Sequence, residues 1–190
     1  MKSNTWTLFL DRDGVINKKK QGGYIQNRAE FEFLPGVLNF FKDFSNYFDK
    51  IVIVTNQQGI SKGLMTIEDL TDIHSFMTKE IINSGGKIDK IYFCPDLAIN
   101  NPICRKPNIG MGLEAKKDFP DIDFSRSFIV GDSETDIEFG TRLGMKTVWI
   151  DDNSTDVEKK KEIMYKANYC FESLKDFIIS LNNHSIVFKT

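Results

Sequence analysis

Several short stretches of this sequence carry residues that could do chemistry together. Leu8–Asn17 reads LFLDRDGVIN, an apolar run stopped by Asp11 and Asp13, with Arg12 between them and Gly14 after. Thr55-Asn56-Gln57 closes another apolar run, KIVIVT. Arg105-Lys106-Pro107 lies in a polar stretch after a third, and Gly131-Asp132 ends a fourth. Clustered carboxylates repel each other unless protons or a cation intervene. Hard oxygen ligands without histidine or thiol suit magnesium, which keeps water and substrate phosphate in its shell. Thr55 offers a hydroxyl with backbone N–H groups behind it. Lys106 offers a point charge for phosphate oxygens, and Arg105 a bidentate fork for a more distant part of a substrate. One aspartate could then attack phosphorus, splitting one hard step into two easier ones. A neighbouring aspartate could protonate the leaving oxygen and later deprotonate water.

Taken singly, each stretch has a plainer explanation. Asp-x-Asp-Gly after a strand is turn chemistry. Thr55-Asn56 is ordinary loop composition, Arg105-Lys106-Pro107 a solvated turn, and Asp136 a first-turn helix acid. Their conjunction, in order and each at the carboxyl end of an expected strand, points to one site. Arg12 either contacts substrate or pairs with a nearby carboxylate on the surface. His74 and His184 read as structural or solvent-facing, and Asp151-Asp152 as a turn.

The elements that must position these residues follow from the apolar pattern. Strands are expected at Thr5–Leu10, Lys50–Thr55, Ile88–Phe93, Ser127–Val130, Lys146–Ile150 and, briefly, Asn168–Phe171. The β-branched run KIVIVT has the pattern of a strand buried on both faces. Residues 14–34 have no clean period and read as a long loop. Pro35-Gly36 opens a helix with Val37, Phe41, Phe44 and Phe48 on one face. Thr66 and Asp69 form a capping-box-like start to a helix whose buried stripe is Leu70, Ile73, Met77 and Ile81. Further helices are expected over Gly110–Asp118, Thr135–Leu143, Asp156–Ala167 and Ser173–Leu181. Strands alternating with helices predict an α/β fold, a three-layer α/β/α Rossmann-like arrangement on a mainly parallel sheet. Ligands in such sheets bind at the carboxyl ends of the strands, near a switch in strand order.

Composition narrows the function classes. A chain of 190 residues suits one domain, 1–190, and 41% hydrophobic residues with 16 phenylalanines imply a large aromatic core. A net charge of -2 gives no broad electrostatic footprint for nucleic acid. No apolar run reaches the length of a membrane span, and the first residues lack a signal-peptide pattern. Cys94, Cys104 and Cys170 are too few and too odd in number for a disulfide framework, so reduced thiols and a cytoplasmic location are expected.

The motifs resemble those of the haloacid dehalogenase (HAD) superfamily of phosphohydrolases. LFLDRDGVIN is similar to its first motif, IVTN with Thr55 to its second, Lys106 in CRKP to its third, and GDSETD with Asp132 and Asp136 to its fourth. DRDG, GGYI, TNQQGISKG and CRKPNIGM resemble the D-glycero-D-manno-heptose 1,7-bisphosphate 7-phosphatase and histidinol-phosphate phosphatase branch. The resemblance implies Asp11 as nucleophile and Asp13 as general acid and base. It implies magnesium on the Asp11 carboxylate, the Asp13 backbone carbonyl and Asp132. Thr55, Asn56 and Lys106 would bind phosphate, and Gln57 and Arg105 would lie near the substrate, a small phosphorylated metabolite such as a sugar bisphosphate. The branch often carries a zinc loop before Arg-Lys-Pro. Here Cys94 and Cys104 remain, with Asp96 and Pro102 at the other ligand positions, so a structural zinc is not expected. Ser133 stands where many heptose enzymes have lysine.

The spacing between motifs leaves no room for a separate cap domain, so residues 17–28 and 57–65 should form the rim of an open site, and a monomer is expected. The competing readings are a histidinol-phosphate phosphatase, a polynucleotide 3′-phosphatase, or a non-enzymatic receiver or binding module.

Overall fold

The computed structural model describes residues 6–151, 155–186 and 188; Thr5 and Asp152 of the sequence expectations lie outside them. Strands β1 (Thr7–Leu10), β2 (Lys50–Asn56), β3 (Lys90–Cys94), β4 (Ser127–Gly131), β5 (Lys146–Ile150) and β6 (Tyr169–Phe171) form one sheet. Its order is β3-β2-β1-β4-β5-β6, and every adjacent pair is parallel. Helices α1 (Val37–Tyr47), α2 (Ile67–Asn83), α3 (Gly110–Asp118), α4 (Glu134–Leu143), α5 (Val157–Lys166) and α6 (Leu174–Asn182) cover it.

Alternate residues of the inner strands feed opposite layers, as the period of two demands. Leu8, Leu10, Ile51, Ile53, Phe128 and Val130 pack against α1, α2 and α6. Phe9, Val52, Val54 and Ile129 pack against Met111 and Ala115 of α3 and Phe139 of α4. The expected stripe Leu70, Ile73, Met77 and Ile81 is buried on α2, and Thr66 and Asp69 form its capping box. Val37, Phe41, Phe44 and Phe48 are buried too. Truncating a ring such as Phe41 to alanine should cost about 3–5 kcal/mol.

The expected three-layer α/β/α arrangement is present, and no separate cap is evident among the described residues. Boundaries move by a residue or two: β3 begins at Lys90 rather than Ile88, and α5 runs Val157–Lys166. The segment 14–34 is more ordered than a loop of no period suggests. It holds a 3-10 turn at Arg28–Glu30 and bridges that pair Asn17 with both Asp13 and Phe33.

Cys94 and Cys104 are joined in a disulfide, which corrects the expectation of reduced thiols. The end of β3 and the loop before Arg105 converge until the two Cα atoms stand 5.3 Å apart, within bonding reach. A count of cysteines does not reveal that convergence.

Candidate active site

From β1 the chain proceeds outward through β2 and β3, then returns to add β4 on the other side of β1. This reversal places the ligand crevice beyond the carboxyl ends of β1 and β4. Asp11 follows β1 and Asp132 follows β4, so the two carboxylates flank the crevice. The Asp11 N–H donates to the Val130 carbonyl at 2.9 Å and extends the β1–β4 pairing by one residue. Beyond it the Arg12 carbonyl accepts the N–H groups of Ile16 (2.8 Å) and Asn17 (3.2 Å), which turns the chain back sharply. Gly14 makes that turn at φ +85°, and a Cβ there would lie 2.1 Å from Asp132 Oδ2. The absent side chain is therefore what allows Asp132 to approach.

Lys106 is the central cation. It is almost wholly buried, and its ammonium reaches Asp11 Oδ1 at 2.9 Å, Asp136 Oδ1 at 2.5 Å and the Val54 carbonyl at 2.6 Å. Burial works against its charge, but Asp11 and Asp136 outweigh that and raise its proton affinity. Asn56 latches the Lys106 loop onto β2. Its Oδ1 accepts the Lys106 N–H at 3.0 Å, and its Nδ2 donates to the Lys106 carbonyl at 3.1 Å. Asn56 thus holds the lysine in place, a different use of its amide from direct phosphate contact.

Asp136 belongs to this cluster. It is fully buried, with Oδ2 accepting from the Ser133 N–H (3.1 Å) and hydroxyl (2.5 Å) while Oδ1 meets Lys106. The helix-acid reading is right for one oxygen and incomplete for the other. Gly131 makes room for it, since a Cβ there would fall 2.2 Å from Asp136 Cβ. Asp11, Asp132 and Asp136 each offer an oxygen within 4.8 Å of the others. Burial first, then repulsion from Asp136 and Asp132 against the pull of Lys106, pushes Asp11 up to about 7. Burial and Asp136 push Asp132 up to about 6 despite Lys19, whose ammonium lies 2.7 Å from its Oδ2. An all-oxygen donor set short of positive charge fits a hard divalent cation. Asp11, Asp132 and the Asp13 backbone carbonyl could hold one.

The Asp13 carboxylate is turned to other partners. Arg12 Nη2 donates to both its oxygens at 2.9 Å, Asn17 Nδ2 to Oδ1 at 2.9 Å, and Gln57 Nε2 to Oδ2 at 2.9 Å. Burial alone would raise it; the Arg12 charge and these donors prevail and hold it below the usual carboxylate range. Gln57 Nε2 also donates to the Thr55 hydroxyl at 2.8 Å, joining the first two motifs. Arg12 is fully buried and pairs inward, which excludes a surface ion pair. Its Nη1 meets His74 Nε2 at 3.3 Å, a partner 62 positions away that sequence reasoning passed over.

A cleft of about 1220 Å³ opens over these groups and extends to Arg105, Lys19 and Tyr24. Residues 18–25 of the first expected rim segment line it, whereas residues 57–65 do not and reach it only through Tyr24. The Tyr24 hydroxyl accepts from Gln58 Nε2 (2.7 Å) and Lys62 Nζ (3.1 Å). Arg105 lines the cleft with Nη1 buried and unbonded among the described residues. At the foot of the adjacent loop Cys94, Asp96 and Cys104 lie together, and the disulfide leaves its two sulfurs no thiolate with which to ligate a metal.

Comparison with known proteins agrees with this arrangement. A family described as HAD-hydrolase-like matches residues 103–177. The D-glycero-alpha-D-manno-heptose-1,7-bisphosphate 7-phosphatase of Mycobacterium bovis is 41% identical over 133 residues, 70% of each chain. That of Campylobacter jejuni is 36% identical over 176 residues, 92% of this chain and 94% of the relative. The crystal structure of D,D-heptose 1,7-bisphosphate phosphatase from B. bronchiseptica, complexed with magnesium and phosphate, superposes with a TM-score of 0.82. It is 25% identical and covers 95% of this chain and 99% of that one. The fold and motifs define a HAD-type phosphatase, an enzyme that hydrolyses a phosphomonoester. Within that class, the chain belongs to the D-glycero-D-manno-heptose-1,7-bisphosphate 7-phosphatase family. Membership of a hydrolase family removes the receiver-module reading. No helix among the described residues is long and apolar enough to cross a membrane.

Proposed function

We propose that this chain removes the C7 phosphate of D-glycero-D-manno-heptose 1,7-bisphosphate, with Asp11 as nucleophile. The observation that carries the reading is the placement of Asp11 at the strand-order switch, between the Lys106 ammonium and the carboxylates Asp132 and Asp136.

In the first step an Asp11 oxygen attacks phosphorus, and the bond from phosphorus to the sugar oxygen breaks. Asp13 gives its proton to the leaving oxygen. In the second step Asp13 takes a proton from water, which attacks the aspartyl phosphate and frees Asp11 and inorganic phosphate. Arg12 holds Asp13 low, which suits the base half of the cycle. A phosphate dianion arriving beside it raises its proton affinity for the acid half. Lys106 and Thr55 bind the transferring phosphoryl oxygens, and Asn56 and Gln57 hold those two groups in register. Bound magnesium would neutralise charge on the phosphoryl group. Arg105, on the cleft wall with a free donor, receives the distal phosphate.

Phosphate release from both anomers of the heptose bisphosphate, from histidinol phosphate and from a 3′-phosphorylated oligonucleotide tests the reading, with and without EDTA. The heptose bisphosphate should be preferred, EDTA should abolish turnover, and Asp11→Asn should be inactive. Wild-type turnover by Asp11→Asn would remove the nucleophile assignment.

A further inference from the structure

We infer that His74, acting through Arg12, is a positioning residue for the Asp13 carboxylate. The inference rests on the reading that Asp13 moves protons in the reaction.

Arg12 is a charge held away from water. Its side chain is wholly buried, and a guanidinium stays charged under any ordinary condition. It must therefore be held by partners. Nη2 spans both oxygens of Asp13, while Nε has no partner among the described residues. That leaves the contact from Nη1 to His74 Nε2, at 3.3 Å, as the second side-chain anchor. Two anchors on different nitrogens fix the plane of a guanidinium; one anchor leaves it free to rotate about that contact.

His74 is itself well fixed. It sits on α2 between Ile73 and Met77, both fully buried, and its ring lies edge-on to Phe93 with centroids 6.2 Å apart. Beside a permanent cation it serves as a neutral acceptor, with its proton on Nδ1 and its Nε2 lone pair toward Arg12. A rigid helix thus fixes His74, which fixes Arg12, which presents one nitrogen to two oxygens of Asp13. Asn17 and Gln57 complete the cage, and the Asp13 side chain keeps 25% exposure toward the cleft. The proton-transfer group can therefore meet substrate from the position in which it is held.

The test compares His74→Leu, His74→Gln and His74→Asn in the full-length, magnesium-loaded protein. Leucine removes the acceptor. Glutamine keeps an acceptor at similar reach, and asparagine keeps one that is too short. Steady-state rates are measured on heptose bisphosphate and on p-nitrophenyl phosphate, whose leaving group departs without a proton. His74→Leu should lower kcat on the sugar phosphate about tenfold or more with KM little changed. The loss should be smaller on p-nitrophenyl phosphate, and His74→Gln should recover most of the rate. Should His74→Leu fail to fold, the glutamine and asparagine variants decide: glutamine near wild type and asparagine depressed supports the inference. A wild-type kcat in His74→Leu, or equal rates in the glutamine and asparagine variants, overturns it. Asp13→Asn separates the two levels. Turnover by that variant would remove the Asp13 role itself, whereas a dead Asp13→Asn beside an unaffected His74→Leu would remove only the part given to His74.

Discussion

Lys106 and Asp136 meet at 2.5 Å in the floor of the cleft, both almost completely buried. Neither can reach water for compensation, and the same ammonium also serves Asp11. Removing one member of such a pair strands a buried charge. Lys106→Met should lose about 3–5 kcal/mol of stability, read by urea unfolding. Its turnover should fall about a hundredfold or more, because the phosphoryl group loses its fixed cation. Wild-type stability in this variant would mean that the three carboxylates tolerate one another without it.

The convergence of Asp11, Asp132 and Asp136 should make stability depend on divalent cation. Magnesium should raise the melting temperature by an amount that grows with its concentration. Asp132→Asn should abolish that shift, whereas Lys19→Met should enlarge it by removing the ammonium beside Asp132. Calorimetric titration of the cation gives the same ordering without any assay of activity. An unchanged magnesium response in Asp132→Asn would place the cation elsewhere.

His74 predicts a pH dependence. Burial first, then the charge of Arg12, lowers it from its ordinary 6.5 to about 3 in the folded protein. Between those values the unfolded chain takes up a proton that the folded chain refuses. Its contribution to stability is therefore whole above about pH 6.5 and declines as pH falls toward about 3. Replacing it by glutamine should flatten that part of the curve. Urea unfolding at about pH 7 and about pH 5 measures the difference between wild type and variant.

Gly14→Ala should damage the site more than the fold. The added methyl would sit 2.1 Å from Asp132 Oδ2, on a backbone at φ +85° that alanine resists. The left-handed conformation costs about 1–2 kcal/mol, and Asp132 must turn away. Magnesium affinity and kcat should both fall while far-UV circular dichroism stays native. A variant with wild-type cation affinity would show that Asp132 can be displaced harmlessly.

What could be read in advance was whatever repeats along the chain or recurs at strand ends. KIVIVT announced a doubly buried strand, and Asp11, Thr55 and Asp132 each followed an apolar run, so the sheet edge was legible. Asp136 was half legible. Its capping spacing gave a sufficient local reason for an acid, and that reason concealed the second oxygen on Lys106. Arg12 was legible as the partner of a nearby carboxylate but not as a buried one, because a charge between two charges looks solvated and nothing nearby in sequence names His74 as its second partner. Cys94 and Cys104 depended on the path of an irregular loop, which has no period to read. Contacts between distant, individually ordinary residues leave no mark on composition.

The strand order also fixes when the catalytic centre can exist during synthesis. Leu10 pairs with Val130, 120 positions further along, while its pairing with Ile53 on the other side is available far earlier. Asp11 thus leaves the ribosome well before Asp132 and Asp136, which join it only after β4 has emerged. Until then one edge of the central strand stands open, a surface that other chains can pair with. A nascent chain paused before β4 would be inert toward phosphate esters and dependent on whatever shields that edge.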